Sequence, residues 1–141
     1  MLFFHITNVL FSVSVKESCP NTLDTSKGVI YSPNYPMNYD NGIKCFWDVV
    51  VPRKRLLRFQ LMDFKTEWRH DMVVFNHVTD GLYVTDITVL HGDNIFDLMF
   101  RTDNRNRFVA EFTNRLLIDF ASDCFVTNKG FKMKYFLIGT S

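Results

Sequence analysis

The sequence predicts a single all-β domain folded as an antiparallel β-sandwich. Three observations carry that expectation. Apolar residues recur with period two in the longer hydrophobic stretches, clusters of turn-forming residues separate them every ~8–12 residues, and no stretch after the first fifteen residues keeps an apolar face at helical spacing. Composition agrees: aromatic residues make up 16% of the 141-residue chain, with 15 Phe, and such side chains suit pleated, half-buried surfaces. Hydrophobic residues at 47% and charged residues at 22% are those of a chain with a packed core rather than a disordered one.

Residues 1–15 (MLFFHITNVLFSVSV) are mostly apolar but interrupted by His5, Thr7 and Asn8. The stretch is shorter than the ~20 residues that cross a bilayer, so it is not read as a membrane span. Its length suits the apolar part of a signal peptide over residues 1–14, with Ser12, Val13 and Ser14 as a small-x-small cleavage site. No Lys or Arg precedes it, and the alternatives are a first β-strand or the arbitrary start of a fragment. No N-x-S/T sequon occurs in the chain, so glycosylation chemistry adds nothing to the case for export.

Strands follow by alternation. Over residues 45–51, Cys45, Trp47, Val49 and Val51 share one face. Over residues 55–63, Leu57, Phe59 and Leu61 point one way while Arg58, Gln60 and Met62 point the other. Leu116, Ile118 and Phe120 share a face with Asp119 opposite, and Phe131, Met133, Tyr135 and Leu137 alternate with Lys132 and Lys134. Trp47 reads as a core anchor on a central strand. Between the strands stand turn signals: residues 32–36 (SPNYP), Asp40-Asn41-Gly42, Asp80-Gly81, Gly92-Asp93-Asn94 and Asn128-Lys129-Gly130. Pro33 and Pro36 lack amide donors, so residues 32–36 are expected outside the sheets, as a rigid extended crossing that packs Tyr31 or Tyr35 on the sandwich edge.

Charge and side-chain chemistry exclude several functions. A formal net charge of +1 does not suit a nucleic-acid partner, because phosphate binding needs clustered Lys and Arg. The densest basic run, residues 101–107, also holds Asp103 and two Asn and reads as a solvated loop. The four histidines (His5, His70, His77, His91) show neither i, i+4 spacing nor an HExxH, so a metalloprotease site or a catalytic triad has no support. Three cysteines without CxxC spacing exclude a zinc knuckle or a redox motif. Either all three are inert thiols of an intracellular chain, or export leaves one bridge and one odd thiol. No catalytic constellation is present, and the chain is read as not an enzyme.

The segment GVIYSPNYP over residues 28–36, with Tyr39 three residues on and then Cys45, Phe46 and Trp47, resembles the opening of a CUB domain, which runs G-x-I-x-S-P-N-Y-P-x-x-Y and then C-x-W. Pro52 takes the place of the proline that closes the next strand. Later blocks also resemble the family: the strand over residues 57–64 leading to Glu67; DMVVF over residues 71–75; NRLLIDFASD over residues 114–123; then Gly130-Phe131 and Tyr135. The resemblance spans residues 19–137; it implies one CUB domain over residues 18–138 and a jelly-roll-like sandwich. It pairs Cys19 with Cys45. The family's second disulfide falls on Trp68 (or a neighbour) and His91-Gly92, where both cysteines are missing together, so that bridge is expected absent. Cys124 lies where the family has no cysteine. It is expected either as a buried or idle thiol or as a handle for an intermolecular disulfide.

Many CUB domains hold calcium at one end of the sandwich through a Glu and two Asp, and Glu67, Asp71 and Asp123 fall on those positions. A hard cation that takes 6–8 oxygens suits converging loop carboxylates. Two departures stand against it: Glu67 and Asp71 are closer in sequence than in the family pattern, and Phe125 replaces the auxiliary oxygen ligand. The resemblance implies a secreted, non-catalytic binding module for an extracellular protein, or a glycan, with calcium assisting. The alternatives are a non-catalytic accessory domain or fragment of a larger secreted metalloprotease, and an intracellular sandwich with coincidental motifs.

Overall fold

Alternation becomes strand wherever the sequence shows it. The computed structural model describes residues 19, 26–79, 83–93 and 100–139, with the backbone alone for residues 83–86. The expected signal peptide of residues 1–14 and the Asp80-Gly81 turn lie outside them. The strands are β1 (Lys27–Tyr31), β2 (Lys44–Val50), β3 (Arg55–Lys65), β4 (Met72–Thr79), β5 (Tyr83–His91), β6 (Arg101–Thr102), β7 (Phe108–Phe112), β8 (Arg115–Ala121) and β9 (Gly130–Gly139). They form a five-stranded sheet, β1-β9-β3-β7-β6, and a four-stranded sheet, β2-β8-β4-β5. Every pairing is antiparallel, and no helix occurs among the described residues. The fold is a single antiparallel β-sandwich.

Inward side chains of both sheets meet in an aromatic core. Phe59 of β3 lies edge-on to Phe75 of β4 with centroids 5.9 Å apart, and against Tyr135 of β9 at 5.6 Å. Phe131 of β9 meets Trp47 of β2 at 6.2 Å and Phe120 of β8 at 5.1 Å, both edge to face. Such geometries add about 0.5–1.5 kcal/mol per pair beyond the area buried. Each of the residue sets 45/47/49/51, 57/59/61, 116/118/120 and 131/133/135 is buried throughout.

Cys19 and Cys45 are joined, with Cα atoms 5.4 Å apart. The bridge ties the segment before β1 to the first strand of the opposite sheet. Closing a loop of 26 residues stabilises the fold by about 3.5 kcal/mol in the chain-entropy account.

Three expectations are corrected. Residues 33–36 form a turn rather than an extended crossing: Tyr35 N donates to Ser32 O (3.2 Å), Met37 N donates to Asn34 O (2.7 Å), and Asn34 adopts φ +68°. Asn tolerates that left-handed geometry, and the Tyr35–Pro36 peptide is cis. Tyr31 and Tyr35 do pack on one another, centroids 5.7 Å apart. Trp47 sits on β2, an edge strand, yet is buried; the opposing sheet covers the inner side of an edge strand as fully as that of a central one. Cys124 is a free thiol and exposed, not buried.

Gly130 explains how the SPNYP turn docks. Its φ is +84°, and a Cβ there would lie 1.8 Å from Ser32 Oγ. The glycine lets buried Ser32 accept a hydrogen bond from Phe131 N at 2.9 Å, which locks the turn to the start of β9.

Candidate functional site

The loop from β3 to β4 makes a tight return. His70 N and Asp71 N both donate to Glu67 O, at 3.3 and 3.1 Å. Thr66, buried beneath, donates from Oγ1 to Asp71 O (2.7 Å) and accepts from Gly92 N (2.9 Å). Those bonds bind the loop to the end of β5. They also fix Asp71, which is fully buried.

Asp71 is the hub. Its Oδ2 accepts from Tyr39 Oη at 2.5 Å, and its Oδ1 accepts from the backbone N of Asp123 at 2.8 Å. Tyr39 Oη in turn accepts from Glu67 N at 3.1 Å. Burial, then the Asp71 bond, holds the Tyr39 phenol well above its ordinary range, so it stays a donor. One buried carboxylate thus orders the loops that carry both other acids. Gly42 N adds a hydrogen bond to Asp123 O at 2.8 Å.

The structure brings Glu67, Asp71 and Asp123 to one end of the sandwich, with different roles. Ligand atoms of Glu67, His70 and Asp123 all lie within 4.8 Å of one another, a grouping able to hold a metal ion, while Asp71 lies beneath as their support. His70 Nδ1 is 3.6 Å from Asp123 Oδ2. Glu67 Oε1 is shielded from solvent without a hydrogen-bond partner. Desolvation first, and the neighbouring Asp123 charge second, push the Glu67 carboxyl up from its ordinary value. Two acids facing each other around an orphaned oxygen are what a cation would relieve.

Tyr39 and His70 are the members that the sequence did not assign. Tyr39 had a signal, since it closes the SPNYP block. His70 had none beyond its neighbours. Phe125, where an auxiliary oxygen was expected, is 80% exposed, and only its backbone N reaches the site, donating to Asp123 Oδ1 at 3.1 Å.

The two positions of the family's second bridge meet here as rings. Trp68 and His91 have centroids 6.2 Å apart, and a Cβ on Gly92 would come within 2.9 Å of Trp68 Cδ1. Arg69 Cζ lies 4.2 Å over the Trp68 ring. Ring and cation–π contacts hold the loop where the family's second bridge, expected absent here, would lie.

Fold and site together define a two-sheet antiparallel module whose loops, at one end, gather acids around a buried carboxylate. Comparison with known families matches residues 19–135 to the CUB domain. The chain belongs to the CUB domain family, whose members are non-catalytic binding modules that typically mediate extracellular protein interactions. It is 29% identical over 124 residues to a cubilin homolog of Drosophila melanogaster and 30% identical over 128 residues to cubilin of Rattus norvegicus, alignments that cover 86% and 89% of this chain. The chain spans 3% of the length of each. Among solved structures it resembles the MASP-1 CUB2 domain bound to Ca2+, with a TM-score of 0.62 at 18% identity, covering 83% of this chain and 97% of that one.

Proposed function

We propose that the chain is a secreted, non-catalytic module that binds an extracellular protein through the acidic loop end, with a calcium ion ordering Glu67 and Asp123 there. One observation carries the reading: Glu67, His70 and Asp123 converge within 4.8 Å above a buried Asp71, with Glu67 Oε1 unpartnered. The donor set fits a hard cation, because carboxylate oxygens predominate and water completes the 6–8 ligands calcium takes. The calcium-bound MASP-1 neighbour supports the choice of ion, and the Cys19–Cys45 bridge supports an oxidising compartment. Calcium supplies positive charge that draws the two facing acids together. The remaining carboxylate lone pairs then present a rigid negative pocket suited to a Lys or Arg of the partner.

The test is a thermal melt in millimolar CaCl2 against the same protein in chelator. Binding to the native state alone stabilises by about 2.7 kcal/mol at a hundredfold excess over Kd. The melting temperature is expected to rise in calcium for the wild type and to stay unchanged for Asp123→Asn, which keeps the backbone bond to Asp71. A wild type with identical melts in calcium and chelator overturns the calcium reading.

A further inference from the structure

A sandwich strand that buries one side ordinarily carries polar residues on the other. The outward side of the four-stranded sheet carries Asp48, Asn76, Arg115 and Asp119, but large apolar side chains stand among them. Phe46 is 51% exposed and Ile87 62% exposed, and partly exposed Val74, Val89 and Leu117 lie between or beside them. Register brings them together. Phe46 stands opposite Asp119 on β8, Asp119 opposite Val74 on β4, and Val74 opposite Val89 on β5. In the next row Asp48 stands opposite Leu117, Leu117 opposite Asn76, and Asn76 opposite Ile87. The result is an apolar strip over four strands that contains Asp119 and is bordered by Asp48 and its partner Arg115.

The Asp119 carboxylate has no ion-pair partner among the described residues. Asp119 Oδ2 accepts from Asn76 Nδ2 at 3.3 Å. The Arg115 guanidinium on the same strand is held by Asp48, Nη2 to Oδ2 at 2.6 Å. Lys44 stands one row on, opposite Ala121. Burial alone holds the Asp119 carboxyl above its ordinary value, as for a charge set among apolar neighbours without a compensating cation.

We propose that this outward sheet face is a docking surface, separate from the acidic loop end, for a protein partner that presents one Lys or Arg to Asp119 from within an apolar ring. Charge complementarity selects that occupant. A buried acid left unpaired weakens an interface, whereas a cation matched to it gives register and specificity. A second copy of this chain seated on a two-fold axis at the centre of the strip would set Asp119 against another Asp119, like charge against like in a desolvated setting. Apolar side chains gathered on an outer sheet face suit an interaction site.

The test is selection of a displayed library of short random peptides against the folded wild-type chain, in chelator so that the acidic loop end does not contribute. Enriched peptides are expected to carry Lys or Arg between apolar residues. They should lose about tenfold or more in affinity for Asp119→Asn and for Ile87→Lys, and bind Glu67→Gln as they bind the wild type. Both face variants alter solvent-side positions, and unchanged melting curves check that they fold. A charge reversal sharpens the test: Asp119→Lys should reject these peptides and accept versions with Glu in place of the cation. Enriched peptides without a cation, binding indifferent to Asp119→Asn, failure to enrich any binder, or a sedimenting dimer dispersed by Ile87→Lys would each overturn the proposal.

Discussion

The outer faces of the two sheets differ in kind. On the five-stranded sheet, Arg58 of β3 pairs with Glu111 of β7, which also takes Arg101 of β6 at 3.3 Å. On β9, Lys132 lies 5.8 Å over the Tyr31 ring, and Lys134 pairs in register with Gln60. That face is laced with charges that satisfy one another. The four-stranded face has one such pair, Asp48 with Arg115, and beside it carries Phe46, Val74, Ile87, Val89 and Leu117 around Asp119, an acid that lacks an ion-pair partner among the described residues. Both sheets obey the same inner alternation, so folding does not explain the contrast. The core does not require the outward side chains to be apolar, and the docking surface proposed above would.

The largest test removes what the two faces share. Phe59→Ala deletes a fully buried ring that touches Phe75 of the opposite sheet and Tyr135 of its own. It is expected to cost about 3–5 kcal/mol in urea unfolding, enough to lose the distinction between the faces along with the fold. A loss of less than about 1 kcal/mol would mean that the sheets do not lean on that ring. Next in size is Cys45→Ser, which opens the 26-residue loop and should lower stability by about 3.5 kcal/mol. Reductant should reproduce the loss in the wild type and add nothing to the variant.

The smallest effects separate the faces by sign. Arg58 holds the Glu111 carboxyl below its ordinary 4.5. Its contribution is therefore full above the ordinary value and is lost as pH falls through the lowered folded value. Glu111→Gln should cost about 0.5 kcal/mol at pH 7, the scale of a surface pair, and less in acid. Asp119 is the reverse case: burial raises it from 3.8, so its contribution is greatest below that value and is lost as pH rises through the raised folded one. Asp119→Asn should therefore stabilise at pH 7 relative to pH 3, with the Asn76 bond kept. Paired pH–stability profiles read both. Profiles that move in the same direction would erase the electrostatic half of the comparison.

Much of the inner fold was legible residue by residue. Cys45, Trp47 and Val49, or Leu116, Ile118 and Phe120, are buried as their alternation implies, because a period of two leaves each strand only one way to hide its apolar side. Alternation failed where the backbone slips. Register shifts between Leu61 and Asp63, so Phe64 is buried although simple counting from Leu61 puts it outside. The loops read less well. The positions of Glu67, Asp71 and Asp123 came from resemblance to a family. Nothing in their spacing says that Asp71 is fully buried beside them, since that depends on hydrogen bonds from Tyr39, 32 residues away, and from Asp123, 52 residues away.

Taken alone, the sequence determined the fold class and the inward residues over 45–51, 57–61, 116–120 and 131–135, because those follow from local periodicity. Tertiary structure decided which outward residues become neighbours. Phe46, Asp119, Val74 and Val89 come from four strands, and only antiparallel register sets them in one row. A surface is a property of several strands at once, and no stretch of chain holds that information by itself.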